Sequence, residues 1–198
     1  CFYTGMVLVA LVLIVSVDLL SYGKKGIPYV DSVLHETTSP LSLKYQLLIG
    51  FVLSMIIGLW IATTGQAFVK ANPFNITFQI METKEGKALL SALVGGVVET
   101  LFFFGLIYPS LHYFLTSKFE YVGMFLAMLA GALIFTLYHN IVYEYNEVAL
   151  FTVFFFAFFF NILPVFFLRS LVIPTMVHFI NNFVVVYLSI TRMMVILV

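Results

Sequence analysis

The sequence predicts an all-α fold, a polytopic membrane helix bundle of about six transmembrane helices. Of its 198 residues, 63% are hydrophobic and only 9% are charged, whereas roughly 25% are charged in an ordinary soluble domain. Six apolar segments are each long enough to cross a bilayer as a helix, which takes about 20 residues. This composition excludes a disordered chain, a nucleic-acid-binding protein with a basic face and almost any water-soluble globule.

The six predicted spans follow one another with short connections. In chain order they are residues 2–20, 41–69, 88–115, 121–143, 148–168 and 171–190. Glycine and proline between the first two spans indicate a loop. Alternating apolar and polar residues over 74–80 indicate either a short interfacial strand or an irregular loop. Because six spans of about 20 residues use most of the chain, we expect one integral membrane domain over residues 1–198, with its motif-bearing core over about 88–190.

Charge and cysteine content narrow the set of partners and cofactors. Nine Lys and Arg residues balance nine Asp and Glu residues, so the net charge indicates no polyanionic partner such as nucleic acid. The one cysteine, Cys1, allows neither a disulfide within these residues nor a cysteine metal site. We therefore expect the lipid bilayer as the main environment and no cofactor. The basic residues are shared almost equally between the two predicted sides, so they do not predict an orientation.

Four polar residues at membrane depth are the candidate functional residues: Glu99, His139, His178 and Asn182. A charged side chain at the bilayer centre costs between about 2.5 and more than 10 kcal/mol, so it needs a partner or a function. Glu99 follows a run of small residues that would let another helix approach closely. It has no Lys or Arg within a helical turn, so we expect its partner on another span. His178 and Asn182 are four residues apart and share one helix face.

Such groups are compatible with several functions. A carboxylate and an imidazole can activate a water molecule, while a second imidazole and an amide can donate hydrogen bonds to an oxyanion. The same groups could instead only fix helix register, or could form a proton or cation pathway. Glu99, His139 and His178 could also bind zinc, although the chain lacks a His-Glu-x-x-His helix, so we expect no metal site.

Three short motifs resemble those of a known family. Residues 99–105 fall on the pattern Glu-Glu-x-x-x-Arg-Gly, Phe135 and His139 match Phe-x-x-x-His, and His178 and Asn182 match His-x-x-x-Asn. Their order and their location in three separate spans resemble the CAAX protease and bacteriocin-processing family of glutamate-dependent intramembrane proteases, also called the Abi family. The resemblance covers roughly half of the chain.

The resemblance implies a metal-independent endopeptidase. Glu99 and His139 would activate water, and His178 and Asn182 would stabilise the oxyanion. The implied substrate is a prenylated or otherwise lipid-anchored peptide or protein. The implied location is a multi-pass position in the plasma membrane of a prokaryote or the endoplasmic reticulum of a eukaryote.

Two positions depart from the first motif. Thr100 stands where the family has its second Glu, and Phe104 stands where it has its Arg. Both members of a supporting ion pair are thus absent together, which avoids leaving one buried charge alone. An inactive relative that acts as an immunity protein or as a scaffold subunit of a membrane complex therefore stays open as an alternative. A second alternative is a proton- or cation-coupled transporter in which Glu99 carries the proton or cation.

Overall fold

Every element in the described part of the chain is a helix. The computed structural model describes residues 39–64, 83–143 and 147–190, so the first predicted span and the alternating segment 74–80 lie outside the described residues. In chain order the helices are α1 (Leu43–Thr64), α2 (Lys84–Ser91), α3 (Ala92–Ile107), α4 (Tyr108–Tyr143), α5 (Glu147–Phe155), α6 (Phe156–Ile162), α7 (Leu163–Leu168) and α8 (Val172–Ile190). Helices α3 and α6 are wound as π-helices.

A sharp reversal at Glu120 divides α4 into two antiparallel limbs. The backbone of Glu120 leaves the helical region, with φ 49° and ψ −125°. The ring centroids of Phe103 and Phe135 are only 5.1 Å apart, whereas one continuous helix would separate these residues by about 48 Å. Gly123 makes the turn possible, because a β-carbon there would collide with the backbone of Leu115. The reversal lies between the predicted spans 88–115 and 121–143.

Three helical stretches in the described residues are long and apolar enough to cross a membrane. They are Leu43–Trp60, Glu85–Asn140 and Glu147–Leu168, and Val172–Tyr187 is a shorter apolar helix. The second stretch contains the reversal at Glu120 and therefore comprises two limbs. Helices thus lie where five of the six predicted spans were expected, while the total of about six spans stays a prediction.

The main apolar core lies between α3, α4 and the α5–α7 segment. Its largest fully buried side chains are Tyr108, Phe104, Phe135, Ile162 and Val165. Many large apolar side chains point outward, and Leu59, Phe151 and Phe167 are each more than 60% exposed. In water, a folded protein rarely exposes so many large apolar side chains, whereas in a membrane such side chains contact lipid tails.

A polar network at the α7–α8 turn sets the position of α8. Arg169 adopts a left-handed conformation there. The next residue, Ser170, accepts from the Ile173 N–H at 3.2 Å, which caps α8, and donates to Gln46 Oε1 at 2.6 Å. Ser39 Oγ donates to the Leu168 carbonyl at 2.6 Å. Because these bonds join the beginning of α1 to the beginning of α8, the two helices run side by side in the same direction.

Two glycines allow α3 and α8 to pack with their backbones close together. A β-carbon on Gly96 would lie 2.6 Å from the backbone nitrogen of Phe179, and one on Gly95 would collide with the side-chain amide of Asn182. Small residues at a helix interface have this effect in membrane proteins generally. The expectation that a neighbouring helix approaches this run closely is therefore met by α8.

We predict that Gly96→Ala destabilises the protein by about 1–3 kcal/mol, because the added methyl group must push the α8 backbone away from α3. The matched control is Gly58→Ala in α1, where an added β-carbon meets nothing within 4 Å. The measurement is the free energy of unfolding in detergent micelles. Equal stability of the two variants would contradict the close α3–α8 packing.

Candidate active site

Glu99 occupies the centre of a polar cluster formed by three helices. Its side chain lies on α3 and only 5% of the residue is exposed. Its Oε1 accepts a hydrogen bond from the Tyr138 hydroxyl on α4 at 3.2 Å. Its Oε2 lies 3.7 Å from His139 Nε2 and 3.8 Å from His178 Nε2 on α8. The partners of the buried carboxyl group therefore come from other helices, as the sequence predicts.

His139 is oriented by the backbone of its own helix. Its Nδ1 lies 2.9 Å from the carbonyl oxygen of Phe135, one turn earlier on α4. A carbonyl oxygen only accepts, so Nδ1 donates and carries a proton. The Phe135 ring packs against the imidazole with a centroid distance of 4.3 Å. In the neutral ring, Nε2 therefore presents a lone pair on the side that faces Glu99.

His178 is held between a threonine and two aromatic rings. Its Nδ1 lies 3.2 Å from Thr100 Oγ1, and both residues are buried. The rings of Phe135 and Phe156 meet the imidazole at steep angles, with centroid distances of 5.8 and 5.2 Å. These contacts direct Nε2 of His178 towards Glu99.

Asn182 lies one helical turn beyond His178, on the same face of α8. A β-carbon on Gly95 would collide with the Asn182 amide and would lie 3.7 Å from Glu99 Oε2. The carboxamide therefore occupies the space beside the carboxyl group that Gly95 leaves open. The preceding residue, Asn181, donates to the Val177 carbonyl at 2.7 Å within its own helix. The structure thus brings all four predicted residues to one cluster.

Sequence reasoning missed two polar neighbours of the cluster. The motifs do not include Tyr138, although a hydroxyl next to His139 at membrane depth is a usable signal. Thr100 is a departure from the first motif, yet it contacts His178. Phe104, the other departure, is fully buried and packs on Phe135 with a centroid distance of 5.0 Å. Thr100 therefore belongs to the polar cluster, whereas Phe104 belongs to the apolar core.

Comparison with protein families agrees with the resemblance. Residues 82–184, just over half of the chain, match the family described as type II CAAX prenyl endopeptidase Rce1-like. The chain belongs to this family. Members of the family are intramembrane endopeptidases, and together with the apolar helices this makes the chain an integral membrane protein. No match is found among the curated proteins or among the solved structures.

An apolar groove of about 390 Å³ lies between α1, α3 and α8. Two of its lining residues are close in sequence to the cluster: Leu101 comes soon after Glu99, and Phe179 follows His178. The other lining residues are Leu47, Leu171, Val172, Thr175 and Met176. The groove is thus an apolar surface on α3 and α8, the helices that also carry Glu99 and His178.

Within residues 39–64, 83–143 and 147–190, no three His, Cys, Asp or Glu side chains are grouped in a way that could hold a metal ion. The described cluster is a set of proton donors and acceptors around one carboxyl group.

We predict that Phe104→Arg alone destabilises the fold by about 3–5 kcal/mol, because it places a charge without a partner in the aromatic core. Adding Thr100→Glu four residues earlier restores the charge pair of the family motif and recovers part of this loss. A double-mutant cycle on the free energy of unfolding measures the coupling. Strictly additive effects would contradict the alignment of residues 99–105 with the first motif.

Proposed function

We propose that this protein is a metal-independent intramembrane endopeptidase that hydrolyses a peptide bond in a lipid-anchored peptide or protein. The observation that supports this function best is the convergence of Glu99, His139 and His178 from three helices, with nitrogen-to-oxygen distances of 3.7 and 3.8 Å. Family membership supports the reaction class. The roles of individual residues rest on the geometry of the cluster.

Glu99 and His139 are the proposed activators of water. In the ionised carboxyl group, Oε2 is a hydrogen-bond acceptor, and Nε2 of neutral His139 is another because Phe135 holds the proton on Nδ1. A water molecule that donates one hydrogen to each acceptor directs its lone pairs away from both, towards a peptide carbonyl carbon. Tyr138 binds the other carboxyl oxygen and so fixes the orientation of the base.

The proposed hydrolysis proceeds by direct attack of water, without a covalent intermediate between enzyme and substrate. The water oxygen bonds to the carbonyl carbon while one water proton passes to the Glu99–His139 pair, which acts as general base. The same proton then passes to the leaving amine nitrogen as the carbon–nitrogen bond breaks. His178 Nε2 and the Asn182 amide lie on one face of α8, where they can donate to the carbonyl oxygen as it gains negative charge.

The apolar groove on α1, α3 and α8 supports a substrate with an attached lipid. Its lining is apolar except for Thr175, and it is formed by helices that the sequence predicts to lie in the membrane. The groove is the proposed position of the isoprenoid chain of the substrate. The groove and the family, whose description names prenyl endopeptidases, both support this substrate class.

We predict that Glu99→Gln lowers kcat by at least about 100-fold while leaving the unfolding midpoint nearly unchanged, because the amide cannot accept a proton from water. The measurement is cleavage of a quenched fluorescent farnesylated peptide by purified protein in phospholipid nanodiscs. Glu85→Gln, at an exposed position on α2, is the control and retains full activity. A chelator such as EDTA leaves the wild-type rate unchanged.

Two outcomes would contradict the proposed function. Cleavage by Glu99→Gln at the wild-type rate would refute the role of the carboxyl group. Absence of cleavage by the wild type across farnesylated and geranylgeranylated peptides would favour a non-catalytic immunity or scaffold protein instead.

We also predict that Leu47→Trp raises KM for the farnesylated peptide about tenfold, with kcat changed less than twofold, because the indole fills the groove. Leu59→Trp is the matched control on the same helix, at a position that is 68% exposed and outside the groove. An equal KM for both variants would place the lipid chain elsewhere.

A further inference from the structure

The side chain of Thr100 makes a different kind of hydrogen bond from those of Thr136 and Thr152. Thr136 and Thr152 each donate to the carbonyl oxygen four residues earlier, at 2.8 and 2.9 Å, which is the usual arrangement for threonine within a helix. The hydrogen bond of Thr100 in the described structure goes instead to Nδ1 of His178 on another helix. Thr100 lies in the π-helical α3.

The direction of this hydrogen bond follows from counting hydrogens. A hydroxyl has one hydrogen to donate, while a neutral imidazole has one nitrogen that donates and one that accepts. If His178 Nδ1 donated to Thr100, the hydroxyl hydrogen would need a second acceptor, and within the described residues Thr100 has no other hydrogen bond. Thr100 is fully buried, so an unsatisfied hydroxyl hydrogen there is costly. The hydroxyl therefore donates to Nδ1.

We propose that Thr100 is a positioning residue that holds neutral His178 in the tautomer with its proton on Nε2. This inference rests on the proposed function for its catalytic consequence. His139 is fixed in the opposite tautomer, because the Phe135 carbonyl oxygen accepts from its Nδ1. The two imidazoles therefore direct unlike atoms at the same carboxyl oxygen of Glu99: an acceptor from His139 and a donor from His178.

The choice of threonine at this position has a chemical consequence. A carboxylate at residue 100 could only accept, so it would draw the proton of a neutral imidazole to Nδ1 and leave Nε2 as an acceptor. The threonine hydroxyl donates instead, so His178 can present an Nε2–H group without becoming charged. A neutral donor towards a developing oxyanion is thus available in a site that already contains a buried carboxyl group.

The test compares two substitutions of Thr100 with one control. Thr100→Val removes the hydroxyl and keeps the shape, whereas Thr100→Ser keeps the hydroxyl. Thr152→Val is the matched control, since Thr152 is also buried but bonds only within its own helix. Nitrogen-15 spectra of histidine-labelled protein in micelles report the tautomer of each of the four histidines, and His178→Gln identifies the signals of His178.

We expect the Nε2–H tautomer of His178 in the wild type, in Thr100→Ser and in Thr152→Val, and its loss in Thr100→Val. Cleavage of the farnesylated peptide is expected to lose about tenfold in kcat in Thr100→Val with KM within twofold, because removal of an oxyanion donor outright costs about 10²–10³. Thr100→Ser is expected to recover at least one third of the wild-type kcat.

Three results would overturn the inference. One is a wild-type His178 protonated on Nδ1, which needs no variant and so decides the question even if Thr100→Val does not fold. Another is an unchanged tautomer in folded Thr100→Val. The third is a loss of kcat in Thr152→Val equal to that in Thr100→Val. Because the spectra do not depend on turnover, a wild type that cleaves no substrate but shows the Nε2–H tautomer would refute the proposed function alone.

Discussion

The burial of one carboxyl group, that of Glu99, is the constraint on which the rest of the structure depends. A carboxyl group at membrane depth is tolerated only where other polar groups surround it. Its own helix supplies no Lys or Arg within a turn, and α4 and α8 bring Tyr138, His139 and His178 to it. The helices are arranged so that side chains from α4 and α8 reach the carboxyl group of Glu99 on α3.

Three backbone features make that meeting possible. The reversal at Glu120 folds the second limb of α4 back along α3, which places Tyr138 and His139 beside Glu99. The glycines at 95 and 96 remove the side chains that would hold α8 away. At the end of the bundle, the hydrogen bond between Gln46 and Ser170 joins the start of α1 to the start of α8.

The polar cluster distinguishes its two imidazoles by what lies behind them. The carbonyl group behind His139 can only accept a hydrogen bond, whereas the hydroxyl group behind His178 can also donate one. In the proposed arrangement the two imidazoles therefore carry their protons on different nitrogens. The structure also shows what the residues at the two divergent positions of the first motif contact. The chain replaces a charge pair of its family by Thr100, which bonds to His178, and by Phe104, which fills the core against Phe135.

The sequence by itself determined the helical class and the location of five apolar helical segments, because apolar runs of spanning length can be identified without knowing their neighbours. It also identified Glu99, His139, His178 and Asn182 as the exceptional polar groups, and the motifs indicated the family. Only the tertiary structure decided that these side chains share one cluster, that Tyr138 and Thr100 belong to it, and which imidazole nitrogen faces the carboxyl group. Those outcomes depend on helix rotation and on contacts between residues distant along the chain, which local periodicity does not specify.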